Sequence, residues 1–162
     1  MNKAEISALS KSKLRDRIAK VVKENLDHQK TIQKAENKKI LDAVTEHFKA
    51  NKDASTFVGK FPVSAGSKAI QETIKTVSSK QKDKTVYIVG ASEDGKVVHG
   101  CHVSSDAQGK GADAAKWSGA VAEIVGGKAG GKGATSLGQG VNGDKVDEGV
   151  EAARKYLEGL SL

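Results

Sequence analysis

A single cysteine, Cys101, leaves this chain unable to close an internal disulfide or to assemble a cysteine-rich zinc site, so a reducing compartment is the default. Aromatic residues make up only 4% of the sequence, which forces any core to be built from Val, Ile, Leu and Ala and keeps it modest. No apolar run is long enough to cross a bilayer, and the opening "MNKAEISALSKSK" lacks the apolar centre of a secretory signal. These absences point to a soluble intracellular protein with no membrane partner. At 162 residues the chain has room for one ordinary domain, or for a small domain with an appendage, and two large enzyme domains are excluded.

What is abundant is positive charge. The formal net charge is +7, which suits a polyanionic partner, nucleic acid first among them. Residues 1–50 carry 12 Lys and Arg against 7 Asp and Glu, whereas residues 51–162 carry 15 against 13, so the excess sits in the first third. Between Lys11 and Lys49 there is neither Pro nor Gly and helix formers dominate. At 100° per residue, Leu14, Ile18, Val21, Val22, Ile32 and Ile40 share a broad apolar face. Lys13, Arg17, Lys20, Lys23, Lys30, Lys34 and Lys38 line the opposite side, interrupted by Glu24 and Asp27. Unbroken, this helix would extend about 58 Å and project as an arm. A break between Asn25 and Thr31, folding it into a hairpin, is the alternative. The lysine stripe is either a solvated face or a contact for a polyanion.

Beyond "ANKDAS" the pattern changes. "TFVGKFPV" reads as a strand with Phe57, Gly59, Phe61 and Val63 on one side, and Pro62 suggests an edge or a terminus. "SAGSKAIQETIKTVSSK" follows as a helix carrying Ile70, Ile74 and Val77, capped by Ser64 or Ser67. "TVYIVGA" reads as a strand buried on both faces, and Asp94-Gly95 marks a hairpin into the alternating "KVVHGCHV". A further helix places Ala114, Trp117, Val121 and Ile124 on one stripe and ends at Gly126. The last helix starts at Asp144 and presents Val146, Val150, Ala153, Leu157 and Leu160. The fold class is α/β (α+β): a long helical arm over residues 1–52, then a small mixed-sheet globule over residues 53–162, with a glycine-rich loop joining its last two helices.

That loop, Gly126 to Gly143, has glycine at eight of 18 positions and no acidic residue, and it contains Lys128 and Lys132. Exposed backbone N–H groups beside two lysines make a plausible anion site. It is no P-loop: after Gly131-Lys132 comes Gly133, where a hydroxyl would have to hold magnesium, and a helix precedes where a strand is needed. Gly138-Gln139-Gly140-Val141-Asn142-Gly143 matches the dinucleotide fingerprint by letter, without the strand before it or the second β-α unit after it.

Candidate catalytic groups are thin. His99 and Cys101 share a strand face while His102 points away, and a thiol–imidazole nucleophile would need partners the sequence does not show. A buried structural cysteine is the ordinary reading. Trp117, on an apolar stripe, reads as core. No catalytic, metal or cofactor site emerges.

The segment "AAKWSGAVAEIVGGKAGGKGATSLGQGVNGDKVDEGVEAARKYL" resembles the end of alanyl-tRNA synthetases, the C-Ala domain of DHH-associated fold. That family shows a tryptophan-bearing helix, a "GG-x-GGG" loop, a "QGxG"-like segment and a closing helix starting "LDEAL". Here they correspond to Trp117, Gly126-Gly127-Lys128-Ala129-Gly130-Gly131, Gln139-Gly140 and Val146 to Val150. Two departures are Ala129, where many relatives have glycine, and "KGATSL" in place of a "KPDMAQ"-like stretch.

The resemblance implies a non-catalytic module of an alanine–tRNA ligase that grips the outer corner of tRNA and helps aminoacylation and editing domains of the same polypeptide act on it. An isolated part of a longer chain is therefore expected, cytoplasmic or in the mitochondrial matrix. Under this reading Gly127, Lys128, Gly130, Gly131, Lys132 and Gln139 approach the RNA backbone, and the arm stripe from Lys13 to Lys38 adds salt-sensitive contacts. DNA is a further partner compatible with the charge. The competing readings are an accessory nucleotide-binding domain of a DHH-family phosphoesterase and a dimerisation module in which the arm pairs with a second copy.

Overall fold

The helix-forming composition of the first third yields one uninterrupted helix. In the computed structural model, which describes residues 8–64 and 66–162, α1 runs from Ala8 to Ala50 with no break at Asn25–Thr31. The first seven residues of the expected arm lie outside the described residues. Only the C-terminal turns of α1 join the core: Ile40 and Val44 are buried, while Leu14, Ile18, Val21, Val22 and Ile32 remain about half exposed. The expected apolar face therefore divides. Its root packs on the globule and the remainder, with residues 10–32 exposed throughout, stands in solvent.

The rest of the chain builds a five-stranded mixed sheet. Its strands are β1 (Thr56–Pro62), β2 (Thr85–Ala91), β3 (Val97–His102), β4 (Lys128–Lys132) and β5 (Thr135–Gly140), in the spatial order β1-β2-β3-β5-β4. β1 and β2 are parallel, linked through α2 (Lys68–Lys80); the other pairings are antiparallel. Pro62 closes an edge strand, where its missing N–H costs no ladder bond. β2 is buried from Thr85 to Gly90, as a β-branched run sandwiched between helices must be. The Asp94-Gly95 turn uses Gly95 at φ +79, and Ser92, Asp94 and Lys96 tie it together through side-chain hydrogen bonds.

Strand alternation divides the core into two. On one face Val86, Ile88 and Val98 meet Ile70, Ile74 and Val77 of α2 and the root of α1. On the other, Tyr87, Val89, Val97 and Cys101 meet α4 (Ala114–Ile124) and α5 (Val146–Glu158). Trp117 lies at the centre of this second cluster. Its indole N–H donates to the Ala153 carbonyl at 2.9 Å, and its ring packs between Tyr87 and Tyr156. Trp117 is a core residue, as its stripe suggested.

Three local features differ from the sequence expectation. Ser67 occupies the N-cap of α2 without a side-chain cap bond. A short helix, α3 (Ser105–Gly109), follows β3 and is capped by Ser104, whose side chain accepts from the Ala107 N–H. The stretch expected as an irregular glycine loop is instead β4 and β5, and a 3-10 turn at Gly143–Lys145 leads into α5, so that helix begins at Val146 rather than Asp144.

Candidate nucleic-acid interface

The glycine-rich hairpin is held by the end of α4. Gly126 adopts φ +64 just past the helix, and the Gly127 N–H donates back to the Ala122 carbonyl at 2.8 Å, a left-handed C-terminal cap that turns the chain directly into β4. Gly133, at φ +68, then leads a two-residue turn with Ala134, the arrangement that returns antiparallel strands without splaying them. The register pairs Lys128 with Gln139, Gly130 with Leu137 and Lys132 with Thr135. Lys128, Gly130 and Lys132 thus alternate onto one face of an edge strand, and all three are exposed.

Of the six residues expected to form the hairpin contact, two glycines have a reason internal to the fold. At Gly127 a Cβ would lie 1.7 Å from the Gln139 carbonyl oxygen, and at Gly131 2.2 Å from that of Thr135, so glycine is required there by the ladder itself. At Gly130 a Cβ would meet nothing within 4 Å. Lys128, Gly130 and Gln139 line a shallow hollow of about 340 Å³ that also takes in Ser67 and Gln71 of α2.

The stripe on α1 also divides. Lys13, Arg17, Lys20 and Lys23 lie on the exposed part of the helix, whereas Lys30 and Lys34 border a hollow shared with Lys68 and Glu72 of α2. Lys38 is exposed near the helix root. Two stripe lysines have acidic neighbours, Lys20 with Glu24 at 4.0 Å and Lys30 with Asp27 at 3.8 Å. Both pairs are exposed, and pairs of this kind are worth at most about 1 kcal/mol, so they leave the lysines available to a stronger anion. The structure does not bring the stripe against the hairpin; α2 stands between them.

The His99–Cys101 pair is unsuited to nucleophilic chemistry. Burial pushes the Cys101 thiol up to about 12, and its Sγ lies 3.5 Å from the Ala114 carbonyl. Burial lowers His99 to about 4, and its Nδ1 shares a 2.7 Å hydrogen bond with the Tyr87 hydroxyl, while Nε2 is buried without a partner. A neutral imidazole beside a protonated thiol supplies no thiolate. Among the described residues, no group of three or more His, Cys, Asp or Glu side chains is placed to hold a metal ion.

Sequence reasoning missed Lys68, Gln71 and Lys75. They lie on the exposed side of α2, whose helical period was read only for its buried side.

The DHHA1 domain family model matches residues 53–159. Alanine–tRNA ligases of Schizosaccharomyces pombe and Candida albicans are each 38% identical to the chain over 159 residues, 98% of its length. The chain spans only 16% of the length of either. In three dimensions it is similar to the crystal structure of the C-Ala domain from Aquifex aeolicus alanyl-tRNA synthetase, with a TM-score of 0.52 and 21% identity. That match covers 65% of this chain and 88% of the other and bears on fold alone.

Proposed function

The chain belongs to the DHHA1 domain family, and from that premise we propose that it is the non-catalytic, tRNA-gripping part of an alanine–tRNA ligase. It holds the outer corner of the tRNA so that aminoacylation and editing domains of the same polypeptide can act on one bound molecule. The observation that carries this reading is the alternation of Lys128, Gly130 and Lys132 on the exposed face of an edge strand, beside a hollow whose polar rim surrounds the aliphatic side chains of Val98 and Leu137. Two ammonium groups flanking a bare glycine let a phosphodiester backbone approach the main chain closely. Recognition of this type reads RNA shape and 2′-hydroxyls rather than base edges.

The test compares folded alanine tRNA with an acceptor-stem minihelix that lacks the corner, at low and high salt, with duplex DNA as a competitor. Tighter binding to whole tRNA, weakened by Lys128→Ala with Lys132→Ala, is expected. Equal, purely salt-governed binding to all three nucleic acids would remove the claim of corner recognition and leave a general polyanion binder.

The arm favours a second role. Leu14, Ile18, Val21, Asn25, His28, Ile32 and Ala35 succeed one another in alternating steps of four and three residues, the spacing of a coiled-coil seam, and all are exposed. This seam points to pairing with a second copy of the chain, and it leaves the stripe from Lys13 to Lys38 on the outside.

A further inference from the structure

The exposed side of α2 borders two hollows that share Gln71, Gly130 and Leu137 and are therefore one groove. Toward one end it is bounded by Ser67 and Lys128, toward the other by Lys75 and Lys132. The lining contains three lysines and, among the described residues, no carboxylate. On the opposite flank of α2, a hollow of about 280 Å³ sets Lys68 near Lys30 and Lys34 of the arm, with Glu72 as its one carboxylate. α2 thus joins two basic regions that the sequence keeps far apart.

Gly130 supplies an independent indication that the groove is meant to be entered. Other glycines of the hairpin have a reason internal to the fold: Gly127 and Gly131 lie against backbone, and Gly138 lies against the His99 ring. Gly130 has none, since its φ is outside the left-handed region and the space above it is open. Glycine in a strand interior weakens the strand, so its presence at an unconstrained position is accounted for by something that approaches from outside. Leu137, half-buried opposite Gly130, gives the floor a small apolar surface suited to the face of a ribose or base.

We propose that α2 is the middle of a continuous RNA track. A phosphodiester strand lies in the groove over Gly130, held by Lys75 together with Lys128 and Lys132, and Lys68 carries the contact across to Lys30 and Lys34. This rests on the reading that the chain grips a folded RNA, and it adds an element, α2, to that grip.

The experiment titrates folded alanine tRNA with the 162-residue chain and with three variants: Lys68→Ala with Lys75→Ala, Gly130→Val, and Lys128→Ala with Lys132→Ala. The α2 pair is expected to weaken binding about tenfold and to flatten the salt dependence by about 0.7–0.9 log units per lost phosphate contact. Gly130→Val is expected to weaken binding comparably, with a melting temperature no lower than that of the parent, which separates a filled groove from a damaged fold. If the Lys128 and Lys132 variant binds weakly while the α2 pair and Gly130→Val bind like the parent, the track over α2 is wrong and the hairpin grip stands. If none of the three differs from the parent, both readings fall.

Discussion

At Gly138 a methyl group has nowhere to go, because a Cβ there would lie 2.2 Å from the His99 imidazole. Gly138→Ala is expected to destabilise the protein by roughly 1–3 kcal/mol, the usual range for overpacking, read as a lower urea midpoint with an unchanged slope. Gly130→Ala, in the neighbouring strand, should leave the midpoint where it is or raise it slightly. Equal losses at both positions would contradict the packing described for the hairpin. His99 also links stability to pH. Its pKa, lowered by burial to about 4 from the ordinary 6.5, means that the unfolded chain takes up a proton between those values and the folded chain does not. Stability is therefore full above pH 6.5 and falls as the pH drops toward 4, by about 3 kcal/mol at the end of that window. His102, also lowered by burial, acts in the same direction. Urea midpoints at pH 7 and pH 5 check this, since the fall begins well above the range in which ordinary carboxylates titrate. A midpoint that does not change over that interval would show that the imidazole environment is wrongly described.

The helices differ in how they are stopped and started, and α4 depends on a single side chain. Asp113 accepts from the Lys116 N–H at 2.9 Å, so Asp113→Ala removes an N-cap bond and should cost about 1 kcal/mol, measurable by thermal melting. For α1, aspartate at both Ile18 and Val21 should abolish any concentration dependence of sedimentation and of the melting temperature while leaving the globule folded, because both positions are exposed in the single chain. A parent chain that sediments as a monomer at every concentration would dispose of the seam. These elements were unequally legible. β2 and β3 could be read because "TVYIVGA" and "KVVHGCHV" carry the β-branched residues that a buried strand needs. β4 and β5 could not, because "KAGGK" and "TSLGQG" have almost no β-branched residues; their strand state comes from pairing with β3 and from α4 packed behind them. On α1 the apolar period was correctly seen, but period alone does not say what covers a face, and Ile40 and Val44 are the apolar residues of α1 that are fully buried against the globule among the described residues. The candidate interface was legible to the same degree. The charge and glycine of the hairpin could be read directly, whereas the wall that α2 contributes arises only when the chain crosses from β1 to β2.

For the molecule as a whole, the proposed RNA grip assigns the strength of binding to the net charge of +7 and the choice of partner to the hairpin. Replacing Lys13, Arg17, Lys20 and Lys23 together by glutamine should weaken binding to every nucleic acid and flatten its salt dependence, while leaving the preference for whole tRNA over the minihelix unchanged. Parallel titrations of the two RNAs measure that ratio; a preference that disappears with the arm charges would place the choice on α1 instead. The projecting part of α1 has one further consequence. A compact chain of this length has a radius of gyration of about 15 Å, yet the exposed stretch from Ser10 to Ile32 alone adds about 35 Å in a single direction. Such a body does not tumble as a sphere. Reorientation about the helix axis is fast and end-over-end reorientation slow, so amides whose N–H bonds lie along α1 relax on a different clock from those pointing across it in the sheet.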